Sequence, residues 1–260
     1  MIVYTDETSV RVGESRGQIW VTRLDSEAYH KDCVDVRYRG YTELMFWAAY
    51  TAELKGPCYM FGKETGAEKE AAREDLAQRN AAIDTQQQIV REYFLTKQAK
   101  KLKSRRLKRV PKVQGVRFNR NKTAKGGIDW YRYQIYVLLP RLIPFIHEVI
   151  EKYGECFLVQ DGAPAHNAWQ QTELLEIQGL TVLPWPGNSP DLNQIEPCWY
   201  HLKQCTSKQP YPPTKKESTI KAWDCVWGDL EQERIGRWCT RMLTRMERVE
   251  LASGDNKFHG

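Results

Sequence analysis

Between Glu64 and Thr96 the chain holds no proline, and Ala72, Leu76, Ile83, Val90 and Phe94 recur at steps of 4, 7, 7 and 4. That spacing lines one face of a long helix, with polar residues on the other sides. The residues ahead of it read as strands. Ile2-Val3-Tyr4 enters a turn at Asp6, and Gln18 to Thr22 follows a glycine-containing turn. Leu44 to Tyr50 is a continuous apolar run suited to a central strand, and Gly56-Pro57 punctuates before a fourth strand at Cys58 to Phe61.

Behind the long helix the pattern alternates. The basic stretch prolongs the helix to about Arg109, where Val110-Pro111 ends it, and Thr123 to Gly127 reads as a flexible return. Helical character resumes at Trp130, with Pro140 and Pro144 starting or kinking helices ahead of Phe145 to Tyr153. Cys156 to Val159 is a short buried strand that ends at Asp161. Pro164 opens a helix to about Gln178, Gly179 caps it, and Leu180 to Leu183 is the next strand. A proline-rich turn then leads into a helix carrying Glu196. Past the Pro210 to Pro213 linker, Lys216 to Val249 reads as two helices, with Trp223 and Trp227 one turn apart as core residues. Strands, a helical insertion, then strand-helix-strand-helix predict an α/β layer arrangement with helices covering a mixed sheet.

Length and composition bound the rest. A chain of 260 residues with 41% hydrophobic content and nine Trp has material for one or two packed domains. No stretch approaches the ~20 apolar residues that span a bilayer; the best, Ile135 to Ile146, is interrupted by Arg141. Met1-Ile2-Val3-Tyr4 has neither a basic n-region nor a cleavage site, so no secretory signal is expected. The seven Cys are scattered without a C-x-x-C pair, which fits reduced, mostly buried thiols better than a disulfide framework or zinc ribbon. The net charge of +6 is local in origin. Lys97 to Lys125 holds 13 of the 39 Lys and Arg and none of the 33 Asp and Glu, so the rest of the chain is net acidic. Such a block is either solvated or neutralised by a polyanion.

Three acids stand out by context. Asp6 follows the first strand run, Asp161 ends an apolar run, and 34 residues separate Asp161 from Glu196. Hard divalent cations prefer oxygen ligands. Two of them, ~4 Å apart, can clamp the attacking and leaving oxygens of a phosphoryl displacement, and three carboxylates suffice if one bridges. Acids at strand ends are far more often turns or helix caps, so spacing alone does not decide.

The surrounding words do more. Tyr4-Thr5-Asp6-Glu7-Thr8, Val159-Gln160-Asp161-Gly162-Ala163-Pro164-Ala165-His166 and Leu183 to Trp199 resemble the catalytic domain of mariner-type DDE transposases. The most specific word is Trp185-Pro186-Gly187-Asn188-Ser189-Pro190-Asp191-Leu192-Asn193-Gln194-Ile195-Glu196, which ends on the family's catalytic Glu. Gly126 to Gln134 and the long helical insertion are similar to fungal versions of that family, so the resemblance covers nearly the whole chain. It implies a ribonuclease-H-like α/β fold, a mixed sheet flanked by helices, with a helical basic insertion. The implied divisions are 1–62 and 129–210 for the two halves of the catalytic domain, 63–128 for the insertion and 211–260 for a C-terminal helical extension. Asp6, Asp161 and Glu196 would then bind two Mg2+ or Mn2+ ions. Members of the family cut a DNA strand with water and use the freed 3′-hydroxyl to attack target DNA. The implied partners are DNA, at transposon ends and target, and a second copy of the chain; the implied place is the nucleus, with no membrane contact.

Other residues carry more than one reading. His166, five residues past Asp161, can approach DNA or the metal site, or be a polar residue in the first turn of a helix. Lys203 lies seven residues beyond Glu196, on roughly the same helix face, where it can meet a phosphate or stay solvated. Glu7 and Asp191 are spare acids, the latter suited to turn geometry. Lys100, Lys101, Lys103, Arg105, Arg106, Lys108 and Arg109 can each displace a phosphate counterion; they also suit a nuclear localisation signal or a solvated helix. Any grip on DNA would be on the backbone. Full-length relatives carry helix-turn-helix modules ahead of the catalytic domain, and a motif Thr at position 5 leaves the expectation of a domain lacking them. Two readings follow: a nuclease and strand transferase, or a catalytically idle DNA-binding or interaction protein descended from one.

Overall fold

Strand β1 (Ile2–Arg11) runs straight through Asp6, where the sequence suggested a turn. Buried residues fall at Val3 and Thr5 before that point and at Thr8 and Val10 after it, and its ladder with β2 (Glu43–Tyr50) is unbroken from Tyr4↔Tyr50 to Arg11↔Glu43. The Thr5 hydroxyl adds a bond to the Ala48 carbonyl oxygen at 3.2 Å. Asp6 is therefore held by a rigid strand rather than by a loop.

The computed structural model describes residues 1–12, 22–27, 30, 43–100, 117–120, 127–184, 193–209 and 213–251. Up to residue 21, the strand expected at Gln18 to Thr22 lies outside them, as do the end of the long helix beyond Lys100 and the 185–192 turn with Asp191. The chain divides into two compact units, Met1–Gly62 with Arg132–Gly260, and Lys63–Tyr131.

In the first unit β3 (Lys55–Phe61), β4 (Phe157–Val159) and β5 (Thr181–Val182) complete a five-stranded sheet of order β3-β2-β1-β4-β5. The first three strands are antiparallel neighbours, while β1, β4 and β5 run parallel. This mixed sheet, flanked by helices, is the ribonuclease-H-like fold. On one face Leu44, Phe46, Ala48 and Tyr50 of β2 join a core with helices α5 (Glu196–Ser207), α6 (Lys216–Asp229) and α7 (Gln232–Leu251). Trp223 and Trp227 both belong to that core. The alternate residues Trp47 and Ala49 are equally buried and point to the opposite face. A strand buried on both sides must be apolar throughout, which explains the unbroken run.

A helical stretch begins as α2 (Trp130–Tyr133), widens into a π-helix at Gln134–Leu142 and tightens again as α3 (Ile143–Tyr153). Pro140 lies inside the widened part, where it cannot donate a backbone hydrogen bond. Within this unit Tyr136 stacks on Tyr59 of β3 at 5.5 Å between ring centroids. Helix α4 (Trp169–Ile177) starts later than Pro164, because residues 161–168 are held as a turn by bonds of their own. Ala163 N–H donates to Asp161 Oδ1 at 3.0 Å, and the Asn167 side chain donates to the Gly162 carbonyl oxygen at 3.0 Å. Among the described residues, no helix is long and apolar enough to cross a membrane.

The second unit is built on α1 (Gly66–Lys100), whose expected apolar face is buried at Ala72 and Leu76. Asn80 clamps the backbone of Phe118 with two bonds, accepting from its N–H at 2.9 Å and donating to its carbonyl oxygen at 3.0 Å. Arg120 bonds Glu64 at 2.8 Å and Asp129 at 2.7 Å, with the Asp129 side chain only 6% exposed. Removing that guanidinium strands two carboxylates, one of them buried. Arg120→Ala should therefore destabilise this unit by about 3 kcal/mol, read as an earlier transition in urea denaturation.

Candidate active site

Parallel pairing sets Tyr4 beside Val159. Asp6 lies two residues beyond Tyr4 and Asp161 two beyond Val159, and the Asp161 charge acts on Asp6. The third acid, Glu196, opens α5, with Pro197 in the first turn as a preset helix start. The Tyr50 hydroxyl donates to the Gln194 carbonyl oxygen, tying the end of β2 to the turn ahead of Glu196. The indole N–H of Trp199, one turn into α5, donates to Asp6 Oδ2 at 3.4 Å. Two strands and a helix thus bring the three predicted acids into one field.

Electrostatics carries the mark of that convergence. The Asp6 carboxyl is pushed up to about 7, first by burial and then by the negative charges of Glu7, Asp161 and Glu196, against the pull of the Glu7 backbone N–H at 2.8 Å. Glu196 is also raised by burial, with Lys203 pulling it back down. Lys203 itself is exposed on α5. Asp161 is lowered, chiefly by its hydrogen bond from His166.

His166 is 3% exposed and does not present itself to solvent. Its Nδ1 lies 2.6 Å from Asp161 Oδ1 and its Nε2 lies 3.2 Å from Glu7 Oε1. Both carboxylates favour the cation and push the imidazole up to about 10 although burial opposes it. The ring packs against Tyr133 with centroids 4.5 Å apart. The structure places the residue against Asp161 and Glu7, in a turn ahead of α4 rather than in a helix.

Glu7 was only a spare acid in the sequence, and Trp199 and Tyr133 gave no signal beyond being aromatic. Strand parity was available to flag Glu7: neighbours on a strand face opposite sides, so one acid of an Asp-Glu pair meets α5 and the other meets whatever covers the far face. The basic residues Lys101, Lys103, Arg105, Arg106, Lys108 and Arg109 lie outside the described residues, and Lys100 closes α1 with only its backbone described. A groove of about 900 Å³ beside α7, lined by Ala52, Gly236, Arg237, Thr240 and Arg241 among others, contains none of the three acids.

A mixed sheet in this order, with one acid on β1, one just past β4 and one opening α5, has the ribonuclease-H-like fold. The comparisons agree. Residues 132–218 match the DDE superfamily endonuclease family. The fold matches the Mos1 mariner paired-end complex with Mn at a TM-score of 0.58 and 16% identity, over 99% of this chain and 56% of that one. A pre-cleavage Mos1 transpososome matches at 0.57 and 15%, over 99% and 57%. The Mos1 transposase catalytic domain with Raltegravir and Mg matches at 0.52 and 15%, over 99% and 85%. The chain thus spans 56% of the length of the first of these. No curated protein matches it. The matched segment spans 132–218, and the structural matches extend the shared fold over nearly the whole chain.

Proposed function

We propose that the chain cuts DNA and joins strands as the metal-dependent catalytic domain of a cut-and-paste transposase, with Asp6, Asp161 and Glu196 holding two Mg2+ or Mn2+ ions. The observation that carries this reading is the Asp6 carboxyl, buried and raised to about 7 by burial and three neighbouring carboxylates. A divalent cation placed there reverses that penalty. The donors are all hard oxygens, which suit Mg2+ and Mn2+ and disfavour softer metals. Among the described residues, no group of three or more His, Cys, Asp or Glu is arranged to hold a metal ion by itself.

When bound, the ions would activate the attacking hydroxyl and stabilise the leaving oxygen. The chain's own residues do the positioning. Asp6 is fixed through the Glu7 backbone and Trp199, and Asp161 through Ala163 and His166. Asp161 Oδ1 takes both of its bonds, which leaves Oδ2 as the oxygen to offer. Exposed Lys203 beside Glu196 suits a DNA phosphate. The Mos1 paired-end complex with left transposon end supports DNA as the partner. The basic run from Lys100 to Arg109 offers further cations to DNA phosphates, and a homodimer working in the nucleus completes the proposal.

A nicking assay on supercoiled DNA in Mg2+ or Mn2+ tests it, with Asp161→Asn as control. Cleavage that depends on the metal and disappears in the variant is the expected result. Equal behaviour of parent and variant, with salt-sensitive DNA binding retained by both, transfers the assignment to an idle DNA-binding descendant.

A further inference from the structure

Asp6 and Glu7 are consecutive on β1 and therefore point to opposite faces of the sheet. Asp6 meets Trp199 of α5, on the face of the main core. Glu7 pairs across the ladder with Trp47 and lies under His166 and Tyr133 on the other face. Asp161 stands just past the end of β4, where neither face is closed off, and the His166 ring reaches it from Glu7's side.

We propose that Glu7 is a positioning residue: it anchors His166, and His166 turns the Asp161 carboxylate so that Oδ2 faces the Asp6 side of the site. The proposal rests on the metal-dependent reading above. Its geometry is a continuous chain, Glu7 Oε1 to Nε2 at 3.2 Å and Nδ1 to Asp161 Oδ1 at 2.6 Å. Exposure falls sharply along it: the Asp161 side chain is 50% exposed, whereas Glu7 is 11% and His166 2%. An acid that is half in solvent on a short turn has free rotamers, and a bond from a buried ring removes them. The ring in turn is fixed on its flat side by Tyr133 and on its far nitrogen by Glu7. Partners placed behind a ligand in this way usually cost on the order of 10-fold or more in metal affinity when removed.

Charge alone makes a different prediction. Glu7 also adds to the negative field that raises Asp6, so a purely electrostatic role would be lost equally in Glu7→Gln and Glu7→Ala. A positioning role survives in Glu7→Gln, whose amide oxygen still accepts from His166 Nε2–H. The test is Mn2+ binding by the full chain without DNA, followed by EPR, for the parent, Glu7→Gln, Glu7→Ala and Asp161→Asn. Alongside it, 15N-edited NMR of the metal-free chain follows the imidazole N–H signals of His166, assigned by their loss in His166→Asn. Expected are near-parent Mn2+ affinity and retained imidazole signals in Glu7→Gln. Glu7→Ala should bind about 10-fold more weakly and lose or shift the Nε2–H signal. Equal weakening in both Glu7 variants overturns positioning, and so does parent-like binding by Glu7→Ala. If Asp161→Asn abolishes binding while Glu7→Ala binds like the parent, only this inference falls. If the parent binds no Mn2+, the metal-dependent reading falls and takes the inference with it.

Discussion

Asp6→Asn should cut metal-dependent DNA cleavage by on the order of 1000-fold and at the same time make the metal-free chain more resistant to heat near pH 8. The two effects have one cause. A carboxylate that is buried among Glu7, Asp161 and Glu196 is held up to about 7. Because its folded value lies above its ordinary one, the folded state keeps the proton that the unfolded chain releases. Stability from this group is complete below about pH 4 and is lost as pH rises through about 7. At pH 8 the parent bears the full penalty of an ionised Asp6, and an amide of the same shape does not. A gain of about 2 kcal/mol, or roughly 5 °C in Tm, is the expected size for a chain of this length.

His166 acts in the same direction higher up. Raised to about 10 by Glu7 and Asp161, it contributes stability below about pH 6.5 that is lost on passing through about 10. Thermal melts of the metal-free parent should thus fall in two steps across this range, and Asp6→Asn should lack the first. Adding Mn2+ at pH 8 should raise the parent Tm and leave the variant nearly unmoved, since a ligand stabilises only the state that binds it. A variant that melts like the parent throughout would remove the carboxylate field as the basis of the site. The expected trade of stability for activity is common where like charges are gathered for catalysis.

Phe46→Ala is the second large effect, and it reaches the site through packing. Phe46 is fully buried on β2, with its ring centroid 5.9 Å from Trp199, 5.0 Å from Trp223 and 6.1 Å from Trp227. It is the point where the sheet meets α5 and α6 together. Truncation removes a large apolar area and leaves a cavity between rigid indoles that cannot close around it, at a cost of about 4 kcal/mol. Trp199 loses one of its supports, and its indole is what steadies Asp6. Denaturation in urea should show the lower midpoint, and Mn2+ affinity at temperatures where the variant is still folded should fall as well. Reduced stability with unchanged Mn2+ affinity would show that Trp199 does not depend on Phe46 for its place.

Much of the layout was legible in advance because it is written in local pattern. The apolar run at Leu44 to Tyr50 suited a central strand, and the spacing from Glu64 to Thr96 lined one face of a long helix. The words around Asp6, Asp161 and Glu196 pointed to carboxylate chemistry on nucleic acid. Two local readings failed for the same reason. Asp6 suggested a turn and Pro164 a helix start, but the ladder with β2 carries the chain through the first, and side-chain bonds to the backbone around Ala163 and Asn167 delay the second.

What the residues determined by themselves was the kind of element at most positions, with three acids as candidates. Only the tertiary structure decided what those acids touch. Strand order and parallel register place Asp161 beside Asp6, and the far face of β1 gives Glu7 a histidine that lies 159 residues away in sequence. Periodicity records which side of an element is apolar, but it does not record what comes to cover that side. The roles of Glu7, His166 and Trp199 arise from that non-local pairing, which forms only when distant segments bury their surfaces together.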